Sequence, residues 1–337
     1  MQGICKPRGY GSTGLLFQYT SPKNIAKTFI ATHIRSVSRV NSLYHCVMPT
    51  LSELYIYPIK SCAAVKQSRA RLTQWGLEYD RNWMVTDANG HFLTQREFSQ
   101  LACVKVEFGP TELLISAPAM PVLRTPLAVS ALKPSPTVIT AQIWDERLPG
   151  LDTGDETAAW FSTFLGTAAR LLRFDPTVQR FADRRWSGEI NATTQFADGF
   201  PLLLIGQGSL DDLNLRLTRK GAQPLPMNRF RPNLVVSGME AYEEDYVGSF
   251  AIATADIEVV IRPVKPCPRC PIPTIDQNLG QPDPAQPNEP LDTLAGYRAD
   301  SRLDGGLAFG QNAVLAEGLG AWLEVGQTVR AELDFAD

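Results

Sequence analysis

Histidine is nearly missing from this sequence. The 337 residues include only His33, His45 and His91, which excludes a catalytic or metal site assembled from several imidazoles. No uninterrupted apolar run approaches the roughly 18 residues that a membrane span requires. Acidic residues are absent from one stretch: positions 1–47 hold six basic residues and no Asp or Glu. The rest of the chain therefore carries 26 basic against 35 acidic residues, a formal −9 where the whole chain is −3. A body that acidic argues against nucleic acid as the main partner. A disulfide framework is also missing. The cysteines at 5, 46, 62, 103, 267 and 270 are irregularly spaced, and a reducing compartment is their natural home.

What is present is a globular composition, 44% hydrophobic and 20% charged, which excludes wholesale disorder. The length suggests about two domains. The acid-free leader, residues 1–47, has two readings. It is a poorly ordered extension or an over-long start, because Met48-Pro49-Thr50 stands just before the first good strand; this reading leaves the protein in the cytoplasm. The other reading is a transit peptide of mitochondrial type. The first is the expectation carried forward.

Short strands dominate the first half. Leu51–Ile59 is β-branched and alternating, with Pro58 at its end. Arg81–Asp87 and His91–Gln95 flank Asn89-Gly90, a hairpin signal. Val104–Phe108 and Glu112–Ser116 bracket Gly109-Pro110, and Thr137–Ile143 is another strand. Strands joined by turns point to a barrel or sandwich. Ala158, Trp160, Phe161, Phe164 and Leu165 recur at helical spacing, with Thr153 or Asp155 as N-cap and Gly166 as the stop. Residues 175–192, with Arg180, Arg184 and Arg185, read as a polar linker. Pro201–Ile205 is a strand, and Ser209–Leu217 a helix with Asp212 imitating a capping box. Leu234–Ser237, Phe250–Thr254, Ile257–Ile261 and Gln327–Glu332 are further strands, and residues 263–290 form a Pro-rich loop.

That loop contains the sharpest local feature, Cys267-Pro268-Arg269-Cys270. Structural zinc needs four ligands, and no second pair lies nearby in sequence. A redox pair of thioredoxin type opens a helix, which prolines 266, 268, 271 and 273 forbid. A single thiolate in a stiff extended loop, favoured by Arg269 and Lys265, suits a soft or high-valent metal centre. Two small cysteines packed in a Pro-rich loop remain an open alternative. Lys60-Ser61, after the first strand, can cradle an anion. Asp80-Arg81-Asn82-Trp83 and Asn228-Arg229-Phe230-Arg231-Pro232-Asn233 supply Arg side chains suited to bidentate anion recognition.

Taken in order, YPIKSC (57–62), DRNW (80–83), FADGFP (196–201), RFRPN (229–233), CPRCPIPTID (267–276) and FGQN (309–312) resemble the MOSC family. Within it they are similar to the two-domain subgroup that includes the amidoxime-reducing components of mitochondria and their bacterial relatives. The resemblance spans about residues 50–335. It implies a mostly β protein with some helix: a MOSC N-terminal β-barrel domain over 48–175 and a β-barrel MOSC domain over 176–337. It implies a molybdenum cofactor, with Cys270 as the metal ligand. Lys60, Ser61, Arg81, Arg231, Asn233, Pro268 and Arg269 would contact the cofactor. Gly199 and Phe200 would do so through their backbone, and Asn312 takes a place where animal members carry Tyr. Asp276 is a candidate for proton delivery, against the plainer role of a loop-capping carboxylate.

The implied activity is reduction of N-hydroxylated compounds (amidoximes, hydroxylamines, N-hydroxylated bases), with the oxygen leaving as water. Without a C-x₄-C-x₂-C set, a separate ferredoxin, cytochrome or flavin reductase is the expected electron donor. Two rivals stand beside this reading. One is a cofactor or sulfur carrier with a persulfide on Cys270. The other is an inactive module that holds a small anion.

Overall fold

The computed structural model describes residues 48–132 and 136–335. The expectation for the leader, residues 1–47, lies outside the described residues. Residues 48–337 fall into a single compact unit. Strand dominates it, as the turn-punctuated pattern implies.

The main sheet has nine strands. Its path runs through Val65–Gln67, Thr50–Ile56, Leu234–Ser237, Leu202–Gly206, Gly306–Glu317, Glu258–Pro268, Val247–Ala253 and Val329–Leu333, with Ala299–Asp300 beside Gly306–Glu317. Only Leu202–Gly206 and Leu234–Ser237 are paired in parallel, because the helix Gln207–Arg219 crosses between them. The last strand returns to the first. Thr50 bridges Thr328, and Val329 N donates to Pro49 O at 2.7 Å. The sheet thus curls back on itself in the manner of a barrel. Leu51, Leu54, Leu204, Val236, Phe250, Ile261 and Leu323 fill the interior.

A four-stranded sheet pairs Trp83–Asp87, Ala169–Phe174, Glu146–Asp152 and Val138–Ile143. The helix Asp155–Leu165 packs Trp160, Phe161 and Leu165 into a second core with Trp83, Val85 and Leu171. Two tight contacts fix its surroundings. Gly76, at φ 96°, lies so close to Pro201 that a Cβ would meet its carbonyl oxygen at 2.5 Å. Gly90, at φ 85°, approaches Thr140 in the same way.

Several local expectations are corrected. The N-cap of Asp155–Leu165 is Gly154, not Thr153 or Asp155. The Thr153 hydroxyl instead bonds Leu171 O at 2.8 Å. Gly166, left-handed at φ 69°, stops the helix as expected. The second helix begins at Gln207, two residues early, and Ser209 lies inside it. No capping box forms. The buried carboxylate of Glu244 accepts from Gly206 N at 3.1 Å and Ser209 Oγ at 2.7 Å, so a distant side chain caps the positive helix end. Asp212 pairs with Arg216 instead, at 2.6 Å. Strand Glu258–Pro268 runs well beyond Ile261 into the Pro-rich segment. Register shifts at Pro263/Lys265 and Pro266/Pro268 accommodate residues that have no N–H to donate.

Candidate functional site

Lys60 and Ser61 follow the first strand because Pro58 ends its pairing. The chain then turns beside Asn82-Trp83: Lys60 N donates to Trp83 O at 2.8 Å, and Arg81 N donates to Tyr57 O at 2.8 Å. Asp80 ties this corner together by accepting from Tyr57 N at 2.8 Å and from the Arg81 guanidinium. Arg231 arrives from the turn before strand Leu234–Ser237. The Arg81 and Arg231 guanidiniums each lie 4.3 Å from the centre of the buried Tyr57 ring. Burial raises the Tyr57 phenol well above its ordinary value, so the ring stays neutral under the two cations. Arg269 comes from the end of strand Glu258–Pro268. It donates to Phe230 O and Phe309 O, both at 2.8 Å.

These segments enclose a cavity of about 450 Å³. On its wall stand Lys60, Ser61, Arg81, Gly199, Phe200, Arg231, Asn233, Pro268, Arg269, Cys270 and Asn312. The sequence places these residues in six separate motifs, and the fold brings them to one surface. Asp276 is not among them, and the expectation of proton delivery is corrected. Its carboxylate accepts from Asn278 N at 2.8 Å and Leu279 N at 3.0 Å and pairs with Arg229 at 2.9 Å. It caps a turn; burial would raise its pKa, but these bonds and Arg229 outweigh that and hold it below the ordinary carboxylate value. Asn233 reaches the wall, but its amide is committed to protein: it accepts from Leu203 N and Arg81, both at 3.1 Å, and donates to Tyr55 O at 3.2 Å.

The wall also holds Thr94, Arg96, Trp144, Asp198, Lys265 and Cys267, which the motifs alone do not assign to a site. Asp198 hides inside FADGFP. It is the sole carboxylate among the residues lining the cavity, against seven Lys and Arg. Its carboxylate, open to the cavity, accepts from the buried Lys60 at 2.6 Å. Enclosure by the surrounding protein would raise its pKa, but Lys60, Arg81 and Arg96 outweigh that and hold it at about 2. Burial lowers the Lys60 ammonium, and Asp198 opposes the shift. Arg180, placed in an expected linker, is instead a buried brace. It donates to the carbonyls of Gln195 and Asp198 at 2.8 and 3.1 Å and pairs with Glu146 at 2.7 Å.

Among the described residues, Arg96, Arg231, Lys265 and Arg269 form no salt bridge. Arg231 donates to Cys62 O at 2.8 Å, so, like Arg269, it is anchored by carbonyls and keeps its net charge for a ligand. Four wall residues have left-handed backbones: Ser61 (φ 66°), Arg81 (50°), Trp144 (51°) and Arg231 (58°). Such strain in non-glycine residues persists where the surroundings impose it, and it clusters at functional sites. Both thiols on the wall are free cysteines. Enclosure pushes the Cys267 thiol up, outweighing Arg269, which favours its protonated form. No cluster of three or more His, Cys, Asp or Glu suited to a metal occurs among the described residues. The arrangement can hold a compact, multiply anionic group and present one thiol to it.

Fold and site together define a β-barrel protein with a cationic cleft closed by a Cys-x-Arg-Cys strand end. The chain belongs to the MOSC family: residues 48–168 match the MOSC N-terminal beta barrel domain, and residues 191–330 match the MOSC domain. It is similar to mitochondrial amidoxime reducing component 2 of Bos taurus, 35% identical over 256 residues, 74% of this chain and 72% of that protein. The counterpart from Rattus norvegicus is 36% identical over 258 residues, with the same two shares. A molybdenum cofactor sulfurase of Oryza sativa is 31% identical over 303 residues, 83% of this chain and 35% of that protein.

Proposed function

We propose that this protein is a molybdenum-cofactor-dependent oxidoreductase that reduces N-hydroxylated compounds with electrons from a separate redox protein. The observation that carries the reading is the pairing of uncompensated cations with one available thiol on a single enclosed wall. Among the described residues Arg231 and Arg269 have no carboxylate partner, and Cys270 stands on the same wall. Guanidiniums of that kind suit the phosphate and dithiolene charges of a metal-pterin group. A thiolate adds a soft ligand to such a metal. The group's own donors would supply the rest of the coordination, so the lack of a protein-built cluster fits. Arg81, Arg231, Arg269 and Lys60 would hold the anionic parts, and backbone at Gly199 and Phe200 would face the pterin. When bound, the cofactor supplies two-electron redox chemistry, and the protein supplies orientation and electrostatics. The amidoxime-reducing relatives support N-hydroxylated substrates.

Protein made in a host that synthesises the cofactor should contain about one molybdenum and one pterin per chain. It should reduce an amidoxime with a dithionite-reduced dye and not with NAD(P)H alone. Cys270→Ala should lose turnover and most of the metal. Full turnover in that variant, or turnover with NAD(P)H alone, would contradict the assignment. A second reading, a sulfur carrier with a persulfide on Cys270, draws support from the sulfurase relative. Cyanide-labile sulfur without molybdenum would favour it.

A further inference from the structure

The turn between strands Val138–Ile143 and Glu146–Asp152 carries Trp144. Its indole lines the cavity and is still 45% exposed, so it stands where the cavity opens to solvent. Its backbone is left-handed at φ 51°, a conformation a bulky aromatic residue adopts only when held there. The restraints are visible. Gln142 Nε2 donates to Trp144 O at 3.0 Å. Phe92 N donates to Gln142 O at 3.2 Å, and Gly90 lets this neighbouring hairpin press against Thr140. Phe92 meets the indole edge-on with centroids 5.1 Å apart. The guanidinium of Arg96, which forms no salt bridge among the described residues, covers the ring at 4.4 Å. Ile143 pairs with Glu146, so Trp144-Asp145 is a two-residue hairpin turn, which requires a positive φ at its first position and presents the half-exposed ring at a fixed place. Braced on two sides and open on the remainder, the ring is a preformed apolar surface at the entrance.

We propose that Trp144, held by Phe92 and Arg96, is a specificity-determining residue: it stacks planar, conjugated N-hydroxylated substrates and leaves their N–O group to the cavity interior. Aromatic stacking rewards such substrates and offers nothing to small alkyl hydroxylamines. The reaction rests on the function proposed above, whereas the stacking is a claim about binding that can be read separately.

The test uses the cofactor-loaded protein and the variants Trp144→Gly and Trp144→Phe. Glycine adopts the left-handed turn freely, so Trp144→Gly removes the ring and keeps the backbone. Calorimetric titration with benzamidoxime should show about tenfold weaker binding in Trp144→Gly, about 1.4 kcal/mol, and near-complete recovery in Trp144→Phe. The kcat/KM ratio of benzamidoxime to N-methylhydroxylamine should fall about tenfold in Trp144→Gly, through KM. Equal losses on both compounds, unchanged binding in Trp144→Gly, or no binding by the unmodified protein would overturn the platform. Ring-dependent binding without turnover of either compound would keep the platform and overturn the reductase reading.

Discussion

Asn233 offers the most exacting test of how the site is supported. It is 1% exposed and lies just before strand Leu234–Ser237. Its main chain pairs on both sides: its N–H donates to Leu203 O at 2.8 Å, and its carbonyl accepts from Tyr55 N at 2.9 Å. The side-chain amide repeats this pattern, accepting from Leu203 N and donating to Tyr55 O while also accepting from Arg81. It acts as an added rung across three strands and as a clamp on a cavity cation. Asn233→Ala would leave Leu203 N and Tyr55 O without partners, at about 1–3 kcal/mol each. Loss of the charged bond to Arg81 adds on the order of 1 kcal/mol, since Asp80 still holds that guanidinium. The total is about 3–7 kcal/mol, a large share of the roughly 5–15 kcal/mol that separates folded from unfolded domains. Urea unfolding followed by tryptophan fluorescence should shift its midpoint down by about 1–2 M at unchanged slope. Asn312→Ala is the control: this cavity residue makes no side-chain hydrogen bond among those described, and it should change stability by less than about 0.5 kcal/mol. A midpoint for Asn233→Ala within about 0.3 M of the unmodified protein would refute the reasoning.

Two further outcomes follow from the same wall. The Asp198 carboxyl, held at about 2 in the fold against about 3.9 unfolded, contributes stability that is complete above the unfolded value and lost as pH falls towards the folded one. The stability gap between the unmodified protein and Asp198→Asn should therefore be flat from pH 7 to 5 and close below pH 4; a gap constant down to pH 3 would refute it. Arg180→Ala removes a buried cation and leaves the carbonyls of Gln195 and Asp198 short of a donor. The two stranded carbonyls should cost about 2–6 kcal/mol together, read as a lower Tm, and a Tm within about one degree of the unmodified protein, against the several degrees expected, would show that Arg180 braces nothing.

The site was legible in the sequence where chemistry is contiguous. Lys60-Ser61, Arg81, Arg231 and Cys270 each sit in a short motif, and all reach one cavity. Partners joined only by folding were not legible. Asp198 meets Lys60 across 138 residues, and neither residue's neighbours announce the other. Trp144 and Arg96 come from two hairpins whose contact depends on Gly90 lying against Thr140. Arg180 looked like linker charge because its partners are carbonyls, which leave no mark in a sequence, and Glu146, which lies 34 residues away. The same limit shifted the helix Gln207–Arg219, since its cap, Glu244, lies 38 residues from Gly206. Prolines 263 to 268 suggested a loop because pairing through bulges needs a partner strand to be seen.

Carbonyl anchoring also explains how a protein of acidic composition can offer a strongly cationic cleft. A buried guanidinium must be hydrogen-bonded, and a carboxylate would be the strongest partner. It would also cancel the charge the cleft is built to present. Arg231 and Arg269 are fixed by the carbonyls of Cys62, Phe230 and Phe309, dipoles that orient a side chain without neutralising it. Two of those carbonyls, Cys62 and Phe230, lie outside the strands and directly beside the left-handed residues Ser61 and Arg231. The strain, about 1–3 kcal/mol at each such residue, is then part of the site's construction. Repulsion among the converging cations adds to it in the empty protein and disappears when an anion binds. The cleft should therefore be the region most stabilised by its ligand, by an increment that grows with ligand concentration as mass action requires.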